Sequence, residues 1–259
     1  MKKKKLGSIF FGGAFFLLLS AALVFFYSPP PLSPPLKVEV RETKSISFDF
    51  APAETFRFDN DASLAKWERK VFKGETNYKI QADGAEHYLR ASSLDSSCGL
   101  FMKTNHAATS DLFIRWKWRA RTFPSKKEPK KLASRSEDDF AARIYVIFLA
   151  SNLFRSDVIE YIWDESLPVG ESTESAYSDR IKLMVVRSGP APPDGGWQEE
   201  TRNPLEDYIR LFGKPPKHPI GIVAVMCDSD NTGSRAEADF AEIAFGLGQR
   251  NSTLGRAEQ

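Results

Sequence analysis

The sequence predicts an all-β protein: an antiparallel two-sheet β-sandwich with one or two short helices, preceded by an N-terminal transmembrane helix. Three observations predict it. About ten short stretches alternate apolar and polar residues with period two, the mark of a strand with one buried face. Turn clusters of Gly, Pro, Asp, Asn and Ser separate several of them, and no β-helix-β repeat points to a parallel doubly wound sheet. Finally, Leu6–Tyr27 carries no charge in 22 residues and follows directly on Lys2–Lys5.

As a helix, Leu6–Tyr27 spans about 33 Å, enough for a hydrocarbon core of roughly 30 Å. The lysine flank belongs on the cytoplasmic side, so the expectation is a single-pass inner-membrane protein with its N-terminus cytoplasmic and its body periplasmic. A cleaved signal peptide is the rival, since Ser20-Ala21-Ala22 offers a small-residue cut site. Cleavage there would leave a markedly apolar new terminus. Residues 28–37 form a proline-rich spacer. Five prolines in "SPPPLSPPL", Ser28–Leu36, exclude a helix and favour extended polyproline geometry. The sandwich is expected over residues 38–248 and a loose tail over 249–259.

The clearest strands are "LFIRWKWRA", Leu112–Ala120, and "DFAARIYVIFLA", Asp139–Ala150. In the first, Leu112, Ile114, Trp116, Trp118 and Ala120 share one face. In the second, Phe140, Ala142, Ile144, Val146 and Phe148 do, with Arg143 and Tyr145 opposite. Further strands are expected at Ser45–Phe50, Tyr78–Gln81, Tyr88–Ala91, Gly99–Lys103, Val158–Trp163, Ile181–Arg187, Ile220–Cys227 and Ala238–Phe245. One helix is strongly signalled: Asn203 caps it, Pro204 takes its first position, Leu205, Tyr208, Ile209 and Phe212 make its apolar stripe, and Gly213 ends it. A weaker helix is expected over Ala62–Lys70. Ser125–Asp139 reads as an exposed loop, basic at its start and acidic at its end.

Without Lys2–Lys5, 32 basic residues face 34 acidic ones, which argues against a nucleic-acid partner on bulk charge. His87, His106 and His218 are scattered without metal spacing, and no Gly-x-Ser-x-Gly, P-loop or dinucleotide fingerprint occurs. Cys98 and Cys227 flank strand-like runs. In an exported compartment they either pair or stay as two buried thiols.

Three stretches together, "SEDDFAARIYVIF", "RNPLEDYIRLFG" and "AVMCDSDNTGSRAEADFAEIAF", resemble an uncharacterised bacterial exported family, domain-of-unknown-function family 3047. The similarity takes in "LRASSLDSSCGLFMK" and "IKLMVVRSG" and covers roughly Phe56–Phe245. It implies a β-sandwich of jelly-roll type and no established activity. The family pattern holds small or hydroxyl residues at the positions of Cys98 and Cys227. Their joint departure here favours a disulfide more than either alone would. The closing "ADFAEIAF" is also similar to the last strand of many carbohydrate-binding jelly rolls.

Two candidate sites follow. Counting Asp228 as position one of a calcium loop, Asp230 falls at three, Thr232 at five, Gly233 at six and Asp239 at twelve. Strand-like flanks exclude an EF-hand. Two readings stand: a structural Ca2+ held by Asp228, Asp230, Asn231 and Asp239, or a turn in which Asp and Asn bond the nearby backbone. The second site is a polar sheet face of Arg115, Lys117, Arg119, Arg143, Tyr145, Glu160 and Lys182, with Trp163 and Trp197 as stacking rings. Its ligand-binding residues are taken as Arg143, Tyr145, Glu160, Trp163 and Trp197. The expected function is a membrane-anchored, non-catalytic module binding a glycan or envelope polymer. One alternative is a structural or assembly protein that binds another envelope protein. Another is a carbohydrate-active enzyme using Glu137 or Glu160 as its acid or base.

Overall fold

Alternation along Leu112–Thr122 and Ala142–Phe148 sets the architecture, because each strand presents one apolar row and those rows must meet. The computed structural model describes residues 47–128, 132 and 134–251. Lys2–Lys5, the expected span Leu6–Tyr27, the proline spacer and residues 252–259 lie outside the described residues. Among the described residues no helix is long and apolar enough to cross a membrane. The described residues belong to one compact unit.

The elements run β1 Ser47–Arg57, α1 Asp61–Leu64, β2 Glu68–Lys73, β3 Asn77–Asp83, β4 Glu86–Leu94, β5 Ser97–His106, β6 Leu112–Thr122 and β7 Ala142–Phe148. A 3-10 turn at Leu153–Arg155 follows. Then come β8 Asp157–Asp164, β9 Ser172–Ser175, β10 Ser178–Ser188, β11 Gln198–Arg202, α2 Pro204–Phe212, β12 Ile220–Asp228 and β13 Arg235–Asn251. One sheet has the order β11-β6-β13-β4-β3, with β1 also pairing to β13. The other has the order β2-β5-β12-β7-β8-β10-β9. The expected all-β two-sheet sandwich with few helices is therefore present.

The two inner faces interlock through aromatic side chains. Trp116 of β6 stacks on Tyr161 of β8 with ring centroids 5.3 Å apart, and Trp118 lies 5.8 Å from Trp163. Ile144, Val146, Val223, Val225, Phe240, Ile243 and Phe245 complete this core. Phe240 and Ile243 differ in parity yet both face inward, because β13 carries a register shift between them.

Several expectations need correction. The sandwich is not wholly antiparallel: β8 and β10 run parallel, with Ile181 opposite Val158. The chain leaves β8, descends as the edge strand β9, and hairpins back between them. The helix expected over Ala62–Lys70 stops at Leu64. Asn60 caps it in a reciprocal box with Ser63, and Glu68–Lys73 instead pairs with β5 as an edge strand. Ser125–Asp139 is not simply exposed: Glu137 and Asp139 are buried, and the Glu137 carboxylate accepts the Lys127 and Glu128 amides at 3.0 and 3.2 Å. Strand β13 runs to Asn251, into the stretch where a tail is expected from residue 249; the rest of that stretch lies outside the described residues.

Helix α2 forms as its signals predict. The Asn203 side chain accepts the Glu206 amide at 2.9 Å, and Gly213 closes the helix at φ 70°. Tyr208 is its buried anchor, while Ile209 is 44% exposed despite the predicted stripe. Cys98 and Cys227 are register partners on β5 and β12, both buried and both free thiols.

Candidate functional site

The outward parity of the seven-stranded sheet carries the chemistry. On β7 the residues facing away from the core are Arg143, Tyr145 and Ile147; on β8 they are Val158, Glu160 and Ile162. Tyr145 sits opposite Glu160, and Arg143 opposite Ile162 on one side and Met226 on the other. Glu160 and Asp228 are thus diagonal neighbours of Arg143, within reach of a long side chain.

The Arg143 guanidinium gathers three carboxylates. Its Nε and Nη2 donate to Asp228 Oδ1 and Oδ2 at 3.0 and 2.6 Å, a two-point contact, and its Nη1 donates to Glu160 Oε2 at 2.9 Å. Asp138 Oδ1 lies 3.6 Å from Nη1, and the Asp138 carbonyl also accepts from Nη2. The Phe140 ring lies 4.6 Å from the guanidinium carbon, and the Phe140 amide donates to Asp228 Oδ1 at 3.0 Å.

Two buried carboxyls, Glu160 and Asp228, and the half-buried Asp138 around one guanidinium hold excess negative charge, so a proton stays among them at neutral pH. Burial raises Glu160 from 4.5 to about 7, against the pull of Arg143. Burial likewise raises Asp138, and raises Asp228 well above the usual carboxylate range. For Arg143 burial works the other way, but the facing Asp228, Tyr145, Asp138 and Glu160 outweigh it and hold the charge firmly.

This cluster floors a cavity of about 390 Å³ that also takes in Phe72, Phe101, Tyr145, Ser175 and Tyr177. A second cavity, of about 630 Å³, shares Phe72, Phe101, Tyr145, Tyr177 and Ile181 and adds Ile147, Leu153, Phe154 and Val158. Together they make one groove, ionic at one end and apolar at the other. Phe101 and Tyr145 stack on its floor at 6.5 Å, while Phe72 and Phe154 stand 63% and 94% exposed at its rim.

The structure brings together Arg143, Tyr145 and Glu160 from the expected set, but not the two tryptophans. Trp163 has the inward parity, is 1% exposed, and donates its indole N–H to the Gly189 carbonyl at 2.9 Å. Trp197 lies on the outside of the six-stranded sheet, its ring 4.2 Å from the Arg119 guanidinium. Arg115, Lys117 and Arg119 belong to that same sheet, so the single polar face expected of them with Arg143 is two faces on opposite sides. Lys182 has the parity of the core residues Met184 and Val186 and pairs with Glu174 at 2.6 Å.

The expected cation ligands also separate. Asp239 lies on the six-stranded sheet, bonded by Arg90 and Arg119 at 2.8 Å and by Arg121 at 2.5 Å. Asp139 instead meets Asp228 and Asp230, with one oxygen of each within 4.8 Å of the others. Two of the three carboxylates carry bonds already. Asp139 accepts the Asn231 and Thr232 amides and the Thr232 hydroxyl, and Asp228 holds Arg143. The Asn231 amide nitrogen donates to the Arg135 carbonyl and the Tyr177 hydroxyl. With Gly233 at φ 61°, the segment forms a turn braced from behind by Asp139.

Sequence reasoning missed Asp138 and Asp228 as guanidinium partners, and Tyr177 as a groove wall. Parity on β12 was the available signal, since it puts Asp228 on the face of Met226 and Ala224.

Fold and site together define a two-sheet β-sandwich with an open groove across one face. The chain belongs to the family described as "Protein of unknown function (DUF3047)", whose model matches residues 65–244. No curated protein matches the chain. Among solved structures, it is similar to the xyloglucanase domain of NopAA, a type three effector from Sinorhizobium fredii, in complex with cellobiose. That match has 11% identity and TM-score 0.41, over 69% of this chain and 92% of that one. It is also similar to endoglucanase cel12A from Rhodothermus marinus, with 11% identity and TM-score 0.36, over 79% and 100%. A third is the carbohydrate recognition domain of Emp46p, with 10% identity and TM-score 0.39, over 76% and 97%. At these scores none of the three carries a functional argument, and function has to be read from the groove.

Proposed function

We propose that this protein is a membrane-anchored, periplasm-facing binding module that holds a glycan or envelope polymer in the groove without catalysis. The observation that carries the reading is the pairing of an aromatic floor, Phe101 and Tyr145, with a fixed polar end at Arg143 and Glu160. Rings take the C–H faces of a sugar and the polar groups set its orientation. Catalysis fits less well, because Glu160, Asp138 and Asp228 all neutralise one guanidinium rather than facing each other across a substrate-sized gap. The anchor rests on the uncharged run Leu6–Tyr27 after four lysines, and the proline spacer would hold the body off the membrane.

Glycan-array binding by the body, Lys44–Gln259, tests this. The wild type binds a defined glycan set, and Tyr177→Ala, which removes an exposed groove wall, weakens it about tenfold. A blank array overturns the reading. The exposed Phe72 and Phe154 favour a second reading, a protein of envelope assembly. A stable partner captured from envelope extract and lost in Phe154→Ala would support it.

A further inference from the structure

Beyond the two cavities of the groove lies a third, of about 420 Å³, whose chemistry is of a different kind. Arg155, Arg180, Lys214, Lys217 and His218 line it, and Asp157 is its one carboxylate. Asp157 is already spent: its Oδ1 accepts Arg180 Nη1 at 2.8 Å and its Oδ2 accepts the Tyr208 hydroxyl at 2.7 Å. Arg155, Lys214 and Lys217 have no carboxylate partner among the described residues. Four cationic side chains therefore face one engaged anion, in a body whose charges otherwise nearly balance.

Such a cluster is unfavourable by itself, since like charges repel and the cavity's one carboxylate, already bonded to Arg180 and the Tyr208 hydroxyl, offsets only one of the four. The cations also come from three separate places in the chain, so local sequence bias does not account for it. Arg155 ends the 3-10 turn, Arg180 lies near the start of β10, and the lysines sit between α2 and β12. Each support is stiffened. The Asn152 side chain accepts the Arg155 amide at 3.2 Å, and Ser156 Oγ ties Ala150 to Asn152 at 3.0 and 2.8 Å. Pro215, Pro216 and Pro219 fix the backbone around Lys217. A stiff frame that converges unpaired cations is arranged for an anion.

We propose that this cavity is a binding site for a phosphoryl group. One guanidinium suffices for a monocarboxylate. A phosphate monoester carries close to two charges and three acceptor oxygens, which match several cations and the flat donor forks of Arg155 and Arg180. Arg180 also lines the apolar cavity of the groove, so the two spaces meet at that residue. A ligand lying in the groove can thus end its phosphoryl group here. The site stands on its own cations, however, and does not depend on what the groove binds.

The test uses the body, Lys44–Gln259, which carries the whole two-sheet core. Calorimetry at low ionic strength measures binding of inorganic phosphate, of glucose 1-phosphate, and of vesicles containing phosphatidic acid, whose headgroup is a phosphate monoester, with sodium acetate as the monoanion control. Inorganic phosphate binds at least about tenfold more tightly than acetate, and the double variant Lys214→Gln/Lys217→Gln weakens it by at least about tenfold. Both lysines are exposed, so the unliganded variant melts as the wild type does. If glucose 1-phosphate gains most over inorganic phosphate, the source is a phosphorylated saccharide; if the vesicles gain most, it is a lipid headgroup. Either gain supports the site. Equal binding of acetate and phosphate, or phosphate binding unchanged in the double variant, overturns it.

Discussion

Glu160→Gln is the most informative single change, because it removes an ionisation while keeping the shape. The glutamine oxygen still accepts from Arg143 Nη1, which lies 2.9 Å from the carboxylate. In the wild type, burial holds Glu160 protonated up to about pH 7, whereas the unfolded chain releases that proton near 4.5. Between those values the folded state binds the extra proton. The stability linked to Glu160 is therefore complete below pH 4.5 and is lost as pH rises through about 7. At about 1.4 kcal/mol per pH decade, the span is worth up to about 3 kcal/mol. In a body of this size that amounts to a Tm gap of up to about 10 °C. Asp239 works in the opposite sense, since bonds from Arg90, Arg121 and Arg119 outweigh its burial and lower its pKa; its contribution fades only below 3.8 and is common to both proteins. Thermal melting from pH 4 to pH 9 is the assay. The variant gains on the wild type across pH 4.5–7 and stays ahead above it. Parallel Tm–pH curves for the two proteins would refute the shared-proton account.

Three further outcomes are expected. Arg143→Met leaves Glu160, Asp228 and the half-buried Asp138 without a counter-charge and costs about 3–5 kcal/mol at pH 7 by denaturant titration; the cost shrinks at pH 5, where protonation of those groups is more complete. Gly246→Ala places a Cβ 2.3 Å from the Ala51 carbonyl oxygen and 2.8 Å from Pro52 Cα, backbone atoms that cannot swing away; it costs at least about 2 kcal/mol by the same titration. Melting in calcium and in a chelator gives the same Tm, because Arg143 and the Thr232 turn already occupy the carboxylate oxygens; a calcium-dependent rise of more than about 2 °C would show the turn to be a metal loop.

Local pattern determined much of the fold. Ile114, Trp116 and Trp118 of β6 and Ala142, Ile144 and Val146 of β7 face inward as alternation predicts, since side-chain parity is a property of any extended backbone. Helix α2 was equally legible, because Asn203, Pro204 and Gly213 act within one turn of its ends. Strands β2 and β11 were not. Glu68–Lys73 and Gln198–Arg202 are mostly polar, and they are strands because neighbouring β5 and β6 offer them unpaired backbone groups.

The site divides the same way. Alternation on one strand put Arg143 and Tyr145 on a common outward row, but no local signal says which sheet a row belongs to. Arg119 and Arg143 both face away from the core, yet on opposite sides of the molecule. Asp228 meets Arg143 from 85 residues away because β12 lies beside β7. The sequence thus determined which side chains leave the core, through the two-residue repeat of the strand. Strand order, a matter of which backbones pair over long separations, decided which of them meet.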